Sequence, residues 1–438
     1  MSHVLRALTS LRHRVSQEVL LTLASRISGL MLQFLMGIVI ARTLSAAGFG
    51  VYSVYTAIFV LVGSLIGIGA PTQSFKAVSQ YHGAQQHAKV RAFILKIIGV
   101  VGVVGLLALG LAWLGLESGL LDSYQIGKQV LLVGIFASIP FVAVRILFEG
   151  MQGIGLAARG MFFENNLIPL LMIGMCGLLS WQLTNVEPQH VIAVNIGCFM
   201  ILAFLLYHNV TRHAPKKPEK TIVAPVFGTG MLAVWASTML DAAIIYLPTV
   251  LAAQFGSLEE VGKFSIAFRL MLVAVSFLVI IRGLAGRHLI LAYAANDMKK
   301  CKKIAGQMML YGLVMYLPLI VIFVFFGREL MHIFGKSFNG GEIYLWILSA
   351  GQMVYAVFGM MGFVLIVMDR SRVEAVVAMI SVGLLVLMAW LGQSYGVLAV
   401  AFAYAAAISI RSLVSYVLVR QRFKIGLTGV KPAEEKIA

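Results

Sequence analysis

Residues 92–115 read AFILKIIGVVGVVGLLALGLAWLG and carry one charge, that of Lys96. A helix of this length crosses the ~30 Å hydrocarbon core of a bilayer, because each helical residue adds ~1.5 Å. Eleven further runs of similar length and composition occur along the chain. They lie at 19–41, 50–75, 129–149, 157–183, 189–209, 227–253, 261–285, 304–326, 343–368, 373–392 and 396–419. The sequence therefore predicts an all-α integral membrane protein with about twelve transmembrane helices.

The overall composition agrees with this fold class. The chain is 60% hydrophobic and 12% charged, with a mean hydropathy of +0.94, whereas soluble domains are about 45–50% apolar and about 25% charged. The net charge of +17 could suit a nucleic acid. However, the basic residues are spread through short loops, and no polar domain gathers them on one face. We therefore predict no nucleic-acid partner and expect membrane lipids around the chain.

The basic residues also predict the orientation, because cytoplasmic loops collect Lys and Arg. With the N-terminus placed in the cytoplasm, 27 of the 34 Lys and Arg residues fall on the cytoplasmic side and five on the opposite side. A missed or extra helix would invert every later loop and remove this asymmetry. The distribution predicts twelve spans with both termini in the cytoplasm.

A basic segment with two prolines, residues 215–224, divides the predicted helices into two sets of six. We expect one bundle over 1–214 and a second over 225–438. A weak repeat accompanies this division, because four residues recur 212 positions later: Ala41, Ser45, Gly50 and Ser53 as Ala253, Ser257, Gly262 and Ser265. Six helices per bundle is an even number, so both bundles would have the same orientation. A pseudo-two-fold axis along the membrane normal would then relate them.

Three charged residues lie well inside predicted helices: Arg26, Asp241 and Arg269. A charge at the bilayer centre costs at least about 2.5–3.5 kcal/mol on insertion scales, so such residues usually face a partner or a cavity. Asp241 and Arg269 lie at similar depth on consecutive helices and could form an ion pair. Arg26 could reach the cytoplasmic surface through its long stem. Alternatively, all three residues line a substrate cavity, where the planar guanidinium group suits phosphate oxygens.

A short motif links the sequence to a known family. Residues 41–53 read ARTLSAAGFGVYS. This segment resembles the one after the first helix of polysaccharide flippases, the O-antigen and exopolysaccharide exporters of the multidrug/oligosaccharidyl-lipid/polysaccharide superfamily. The likeness is carried by Ala41, Arg42, Phe49, Gly50, Tyr52 and Ser53. A structural role is equally consistent with the motif, because glycine permits a tight turn and Tyr52 would suit the interfacial aromatic belt.

The resemblance implies a function. Such proteins move a polyprenyl-diphosphate-linked oligosaccharide from the cytoplasmic to the outer leaflet of the bacterial inner membrane. Related flippases carry cationic residues in the first and eighth helices, which here are Arg26 and Arg269. H⁺ or Na⁺ would serve as coupling ion, and polysaccharide polymerase machinery would be a partner. The sequence contains no nucleotide-binding motif, catalytic set or metal-ligand spacing, so we expect no enzyme activity, cofactor or metal.

Other functions stay open from the sequence. A drug or organic-cation exporter of the same superfamily would need acids in the membrane, and Asp241 is the one clear acid near the middle of a predicted helix. A major-facilitator transporter usually has a Gly- and Arg-rich signature between helices 2 and 3, which this chain lacks. A membrane-embedded glycan enzyme would need long outer loops or paired carboxylates, and the predicted outer loops are short.

Overall fold

The computed structural model describes residue 25 and residues 28–118, 127–212 and 231–427. Nearly all of these residues are helical, and the described part contains no β-strand. The helices up to residue 211 are α1 (Ser28–Thr43), α2 (Ala46–Gly67), α3 (Ala70–Gly83), α4 (His87–Glu117), α5 (Lys128–Gly153), α6 (Ala157–Phe162), a π-helical turn (Phe163–Leu167), α7 (Ile168–Gln182) and α8 (Pro188–Thr211).

The helices from residue 231 onward follow the same pattern of long apolar segments joined by short turns. They are α9 (Met231–Phe255), α10 (Leu258–Ala294), α11 (Met298–Phe334), α12 (Glu342–Phe358), α13 (Met360–Val367), α14 (Ser371–Leu391) and α15 (Val397–Leu427). Short 3₁₀ turns at Lys336–Phe338 and Gln393–Tyr395 precede α12 and α15.

A helix lies at each of the twelve predicted positions. The run at 19–41 is described only at residue 25 and from residue 28 onward, and the run at 227–253 only from residue 231 onward. Within the described residues, ten helices are long and apolar enough to cross a membrane, and α1 is a shorter apolar helix. The eighth predicted run is occupied by α10, which has 37 residues. The fold class is thus confirmed as an all-α, multi-pass membrane protein.

Local backbone geometry interrupts some of the predicted runs. The run at 50–75 holds two helices, because Ile68 and Gly69 adopt left-handed conformations with φ of 37° and 70°. The run at 157–183 contains the π-helical turn between α6 and α7. A hydropathy pattern does not show such breaks, because it reports the composition of a segment and not the backbone conformation of single residues.

The chain forms two compact units, Met1–Ala242 and Ala243–Ala438. The division falls within α9. The linker predicted at 215–224 lies outside the described residues, so the bundle boundaries at 214 and 225 stay predictions.

Glycines set the packing distances in the first unit. A Cβ on Gly63 would lie 2.8 Å from the Phe141 ring, and one on Gly105 would lie 2.6 Å from Ile139. Both α2 and α4 therefore approach α5 closely. Close approach is the main source of helix association in a bilayer, where apolar burial alone gives no driving force.

Glycines also allow close helix packing around α12 in the second unit. Gly312 of α11 faces the carbonyl oxygen of Ala356, so that a Cβ there would collide with the α12 backbone. Gly351 of α12 lies against α15, where a Cβ would be 2.5 Å from the Cα of Ala405. The α12 helix is thereby held closely on two sides.

Candidate functional site

The family-like motif at 41–53 builds the joint between α1 and α2. The Ser45 hydroxyl accepts a hydrogen bond of 3.2 Å from the Gly48 N–H and so caps the start of α2. Gly48 also lies close to α8, since a Cβ there would be 3.3 Å from the Pro188 ring. These contacts explain the serine and the glycine by helix capping and packing.

The motif side chains mostly face the core. Of the six residues that carry the resemblance, Arg42 is exposed and five are buried: Ala41, Phe49, Gly50, Tyr52 and Ser53. Tyr52, for which the sequence allows an interfacial position, packs inside the protein, and its depth in the membrane stays a prediction. Its side chain is 3% exposed, and its ring contacts Phe49 and Tyr55 at centroid distances of 6.2 and 6.1 Å. The row of aromatic rings along α2 requires this burial.

The second unit repeats this construction at the equivalent positions. Ser257 caps α10, because its hydroxyl accepts a hydrogen bond of 3.3 Å from the Glu260 N–H. Phe264, the equivalent of Tyr52, is fully buried and its ring contacts Phe268 at 5.6 Å. Ser265, the equivalent of Ser53, is 4% exposed. The two segments thus share a capping serine, a buried ring and a buried serine at positions that are 212 residues apart.

A polar cluster of the first unit forms around the π-helical turn. Glu164 in this turn makes an ion pair of 2.5 Å with Arg145 of α5. Glu149 lies on the same helix as Arg145 and accepts a hydrogen bond of 3.3 Å from Gln152. Salt bridging in this Arg145–Glu149–Glu164 group is one of the roles that the sequence permits. π-helical turns occur frequently at functional sites.

The same turn holds the start of α1 through an asparagine that the sequence analysis did not identify. Asn166 is 1% exposed, and its Nδ2 donates to the backbone oxygen and to the Oγ of Ser25, both at 3.0 Å. Its Oδ1 accepts a hydrogen bond of 2.7 Å from the Ser28 hydroxyl. Next to it, Asn165 packs against Gly29, where a Cβ would be 2.6 Å from the Asn165 Cβ. We name this set of contacts around Asn166 the asparagine clamp.

The second unit contains a buried ion pair between α14 and α15. Arg411 donates from Nε and Nη2 to Glu374 Oε1 at 3.2 and 3.0 Å. The Ser415 hydroxyl donates to the other carboxylate oxygen at 2.9 Å. Glu374 is 7% exposed, and it lies so close to Gly362 of α13 that a Cβ there would be 2.7 Å from Oε1. Both carboxylate oxygens of Glu374 therefore have hydrogen-bond partners.

The structure describes two of the three predicted cavity residues. Arg26 lies outside the described residues. Asp241 is exposed on α9, and Arg269 is half-buried on α10. Both have interactions with other groups. They fall in different units, and their mutual ion pair stays a prediction.

Comparison with known proteins gives the family. A model described as "Polysaccharide biosynthesis protein" matches residues 15–286, more than half of the chain. The chain belongs to this polysaccharide biosynthesis family. The sequence resemblance drawn from residues 41–53 is thereby confirmed.

Solved structures of other proteins have a fold similar to that of this chain. The chain is similar to a multidrug resistance MATE transporter of the MOP superfamily in an inward-facing conformation, with a TM-score of 0.75 and 12% identity over 92% of this chain and 96% of the other. It is also similar to the lipid II flippase MurJ, with a TM-score of 0.66 and 15% identity over 96% and 94%.

A third similar structure is a MOP superfamily transporter from Pyrococcus furiosus, with a TM-score of 0.55 and 13% identity over 94% and 96%. No curated protein sequence matches the chain. Among the described residues, no group of three His, Cys, Asp or Glu side chains could hold a metal ion. The fold of the chain is thus similar to the fold of these solved transporter structures.

Proposed function

We propose that the protein is a flippase that moves a polyprenyl-diphosphate-linked oligosaccharide from the cytoplasmic to the outer leaflet of a bacterial inner membrane, for surface polysaccharide biosynthesis. Family membership and the likeness to MurJ and MATE transporters support a transporter of this superfamily. The chemistry of the cargo is inferred from the charges in the helices.

The proposal rests on one observation, the pairing of acidic side chains in the helices with other groups. Glu164 is paired with Arg145, and Glu374 with Arg411. Asp241 also interacts with another group. An exporter of organic cations needs acids available to its cargo, because a cation leaving water must find a compensating charge. The pairing of Glu164 and Glu374 with arginines favours an anionic cargo, such as a lipid diphosphate, over an organic cation.

The transport mechanism follows from the charge of that cargo. The diphosphate must cross a low-dielectric region, where arginine compensates its charge and binds two oxygens at once. Arg26 and Arg269 are the proposed contacts, while the polyprenyl tail remains in lipid and the units alternate their access. The sequence has no nucleotide-binding motif, so an H⁺ or Na⁺ gradient, or consumption of the product by polymerase machinery, sets the direction.

Reconstitution tests the proposal directly. Proteoliposomes would contain the purified chain and a fluorescent polyprenyl-diphosphate oligosaccharide in the inner leaflet. Dithionite added outside should quench this cargo faster than in protein-free vesicles. Matched vesicles loaded with a fluorescent organic cation serve as the comparison. Transport of the cation but not of the lipid diphosphate would show that the protein is a cation exporter instead.

A further inference from the structure

Helix α12 carries two buried side chains whose polar atoms lack partners. Ser349 is 1% exposed and Gln352 is fully buried. Among the described residues, nothing hydrogen-bonds to the Ser349 Oγ or to the Nε2 and Oε1 of Gln352. The two residues are three positions apart, so they lie on the same face of the helix. A buried amide with neither of its polar atoms paired is strongly disfavoured.

Other buried polar side chains provide a comparison, because most of them have hydrogen-bond partners within the protein. The hydroxyls of Ser381 and Ser412 donate to carbonyls three and four residues earlier in their own helices, at 2.8 and 2.7 Å. In the first unit, the buried amide of Asn195 accepts a direct hydrogen bond of 3.0 Å from Tyr55. Most buried polar groups among the described residues therefore find protein partners. The hydroxyls of Ser53 and Ser265 also lack one, but Gln352 is a buried amide with both of its polar atoms unpaired.

A tyrosine stands beside this pair. The hydroxyl of Tyr316 on α11 donates to the backbone oxygen of Ser349 at 3.2 Å, and the residue is 2% exposed. The Tyr316 oxygen can still accept a hydrogen bond. Ser349, Gln352 and Tyr316 thus bring several hydrogen-bonding atoms together where α11 and α12 meet.

We propose that the second unit binds structural water between Ser349 and Gln352, within reach of Tyr316. The unpaired atoms are an amide nitrogen that only donates, an amide oxygen that only accepts and a hydroxyl that does both. A metal cation would bind the oxygens but would leave the amide N–H groups unpaired, and none of these three residues is acidic. An anion would leave the acceptors unpaired. Water donates and accepts, and buried water typically makes two to four such bonds.

Radiolytic labelling tests this water site. In a microsecond X-ray pulse, bound water yields hydroxyl radicals that modify adjacent side chains. Tyr55 is a matched control, because it is fully buried and bonds directly to an amide. We expect Tyr316 to be modified faster than Tyr55, because a bound water lies beside Tyr316 in this proposal. Gln352→Met should bring Tyr316 down to the rate of Tyr55, and exposed Tyr395 should not change.

Two results with the unaltered chain would overturn the proposal. One is equal modification of Tyr316 and Tyr55 in the unaltered chain. The other is a Tyr316 rate that depends on Na⁺ when choline replaces it, which would show that the site holds a cation. If the Gln352→Met variant shows no cooperative thermal transition, the Ser349→Ala variant is used instead. The rate of Tyr316 modification should fall in that variant as well. An unchanged Tyr316 rate in the folded variant also contradicts bound water.

Discussion

At the scale of single residues, one absent methyl group determines how closely α11 and α12 approach. Gly312→Ala would place a Cβ against the Ala356 carbonyl oxygen. We expect the free energy of unfolding in detergent to fall by about 1–3 kcal/mol, because α11 and α12 must move apart to make room for the Cβ. Gly306→Ala on the same helix meets nothing within 4 Å and should be neutral or stabilise by about 0.5–1 kcal/mol. Equal losses for both variants would contradict the packing argument.

Arg269 provides the residue-scale test of cargo charge. Arg269→Ala should abolish transport of the lipid diphosphate while leaving the amount of protein in the membrane unchanged. Arg269→Lys should restore part of the activity, because it keeps the charge but loses the bidentate geometry. Arg328→Ala, at an exposed position on α11, is the control and should transport normally. Normal transport by Arg269→Ala would remove this residue from the mechanism.

At the scale of elements, the π-helical turn connects α5 and α1 through neighbouring residues. Asn166→Asp should weaken the asparagine clamp, because the new carboxylate oxygen faces the Ser25 carbonyl that Nδ2 now satisfies. We expect the unfolding free energy to fall by about 1–3 kcal/mol, measured by thermal or chemical unfolding.

Asn209→Asp is the matched control for the clamp. The Asn209 amide bonds to the Leu205 carbonyl of its own helix at 2.8 Å, so the same chemical change there disturbs no contact between helices. It should cost less than half as much as Asn166→Asp. Equal costs would show that the clamp does not join the elements.

A structural feature was predictable from the sequence when its signal lies within one segment of the chain. Apolar runs predicted all twelve helix positions, because a lipid environment requires long apolar helices whatever their neighbours. The buried pair of Glu374 and Arg411 was visible only as charges near helix ends. The roles of Asn166 and Gln352 were not predictable, since both depend on contacts, or missing contacts, between segments far apart in sequence. An asparagine pair after Glu164 inside an apolar run was the one available signal for the clamp.

At the scale of the whole molecule, the predicted topology awaits a direct measurement. Reporter fusions after Lys217 and Lys302 should report the cytoplasm, and fusions near Glu187 and Ser257 should report the outer side, because the basic loops stay inside. Phosphatase and fluorescent-protein activities at the four sites provide the readout. An outer-side signal at Lys302 would exclude the arrangement of twelve spans with cytoplasmic termini.

The ion pair between Glu374 and Arg411 also has a consequence for synthesis. The two residues are 37 positions apart, so at about 5–20 residues per second the ribosome completes Arg411 about 2–7 seconds after Glu374. During that interval α14 has its acid but not yet the guanidinium that neutralises it. The helix should therefore leave the translocon only together with α15. A chain truncated after residue 410 should be held there and degraded, whereas one truncated after residue 427 should mature normally.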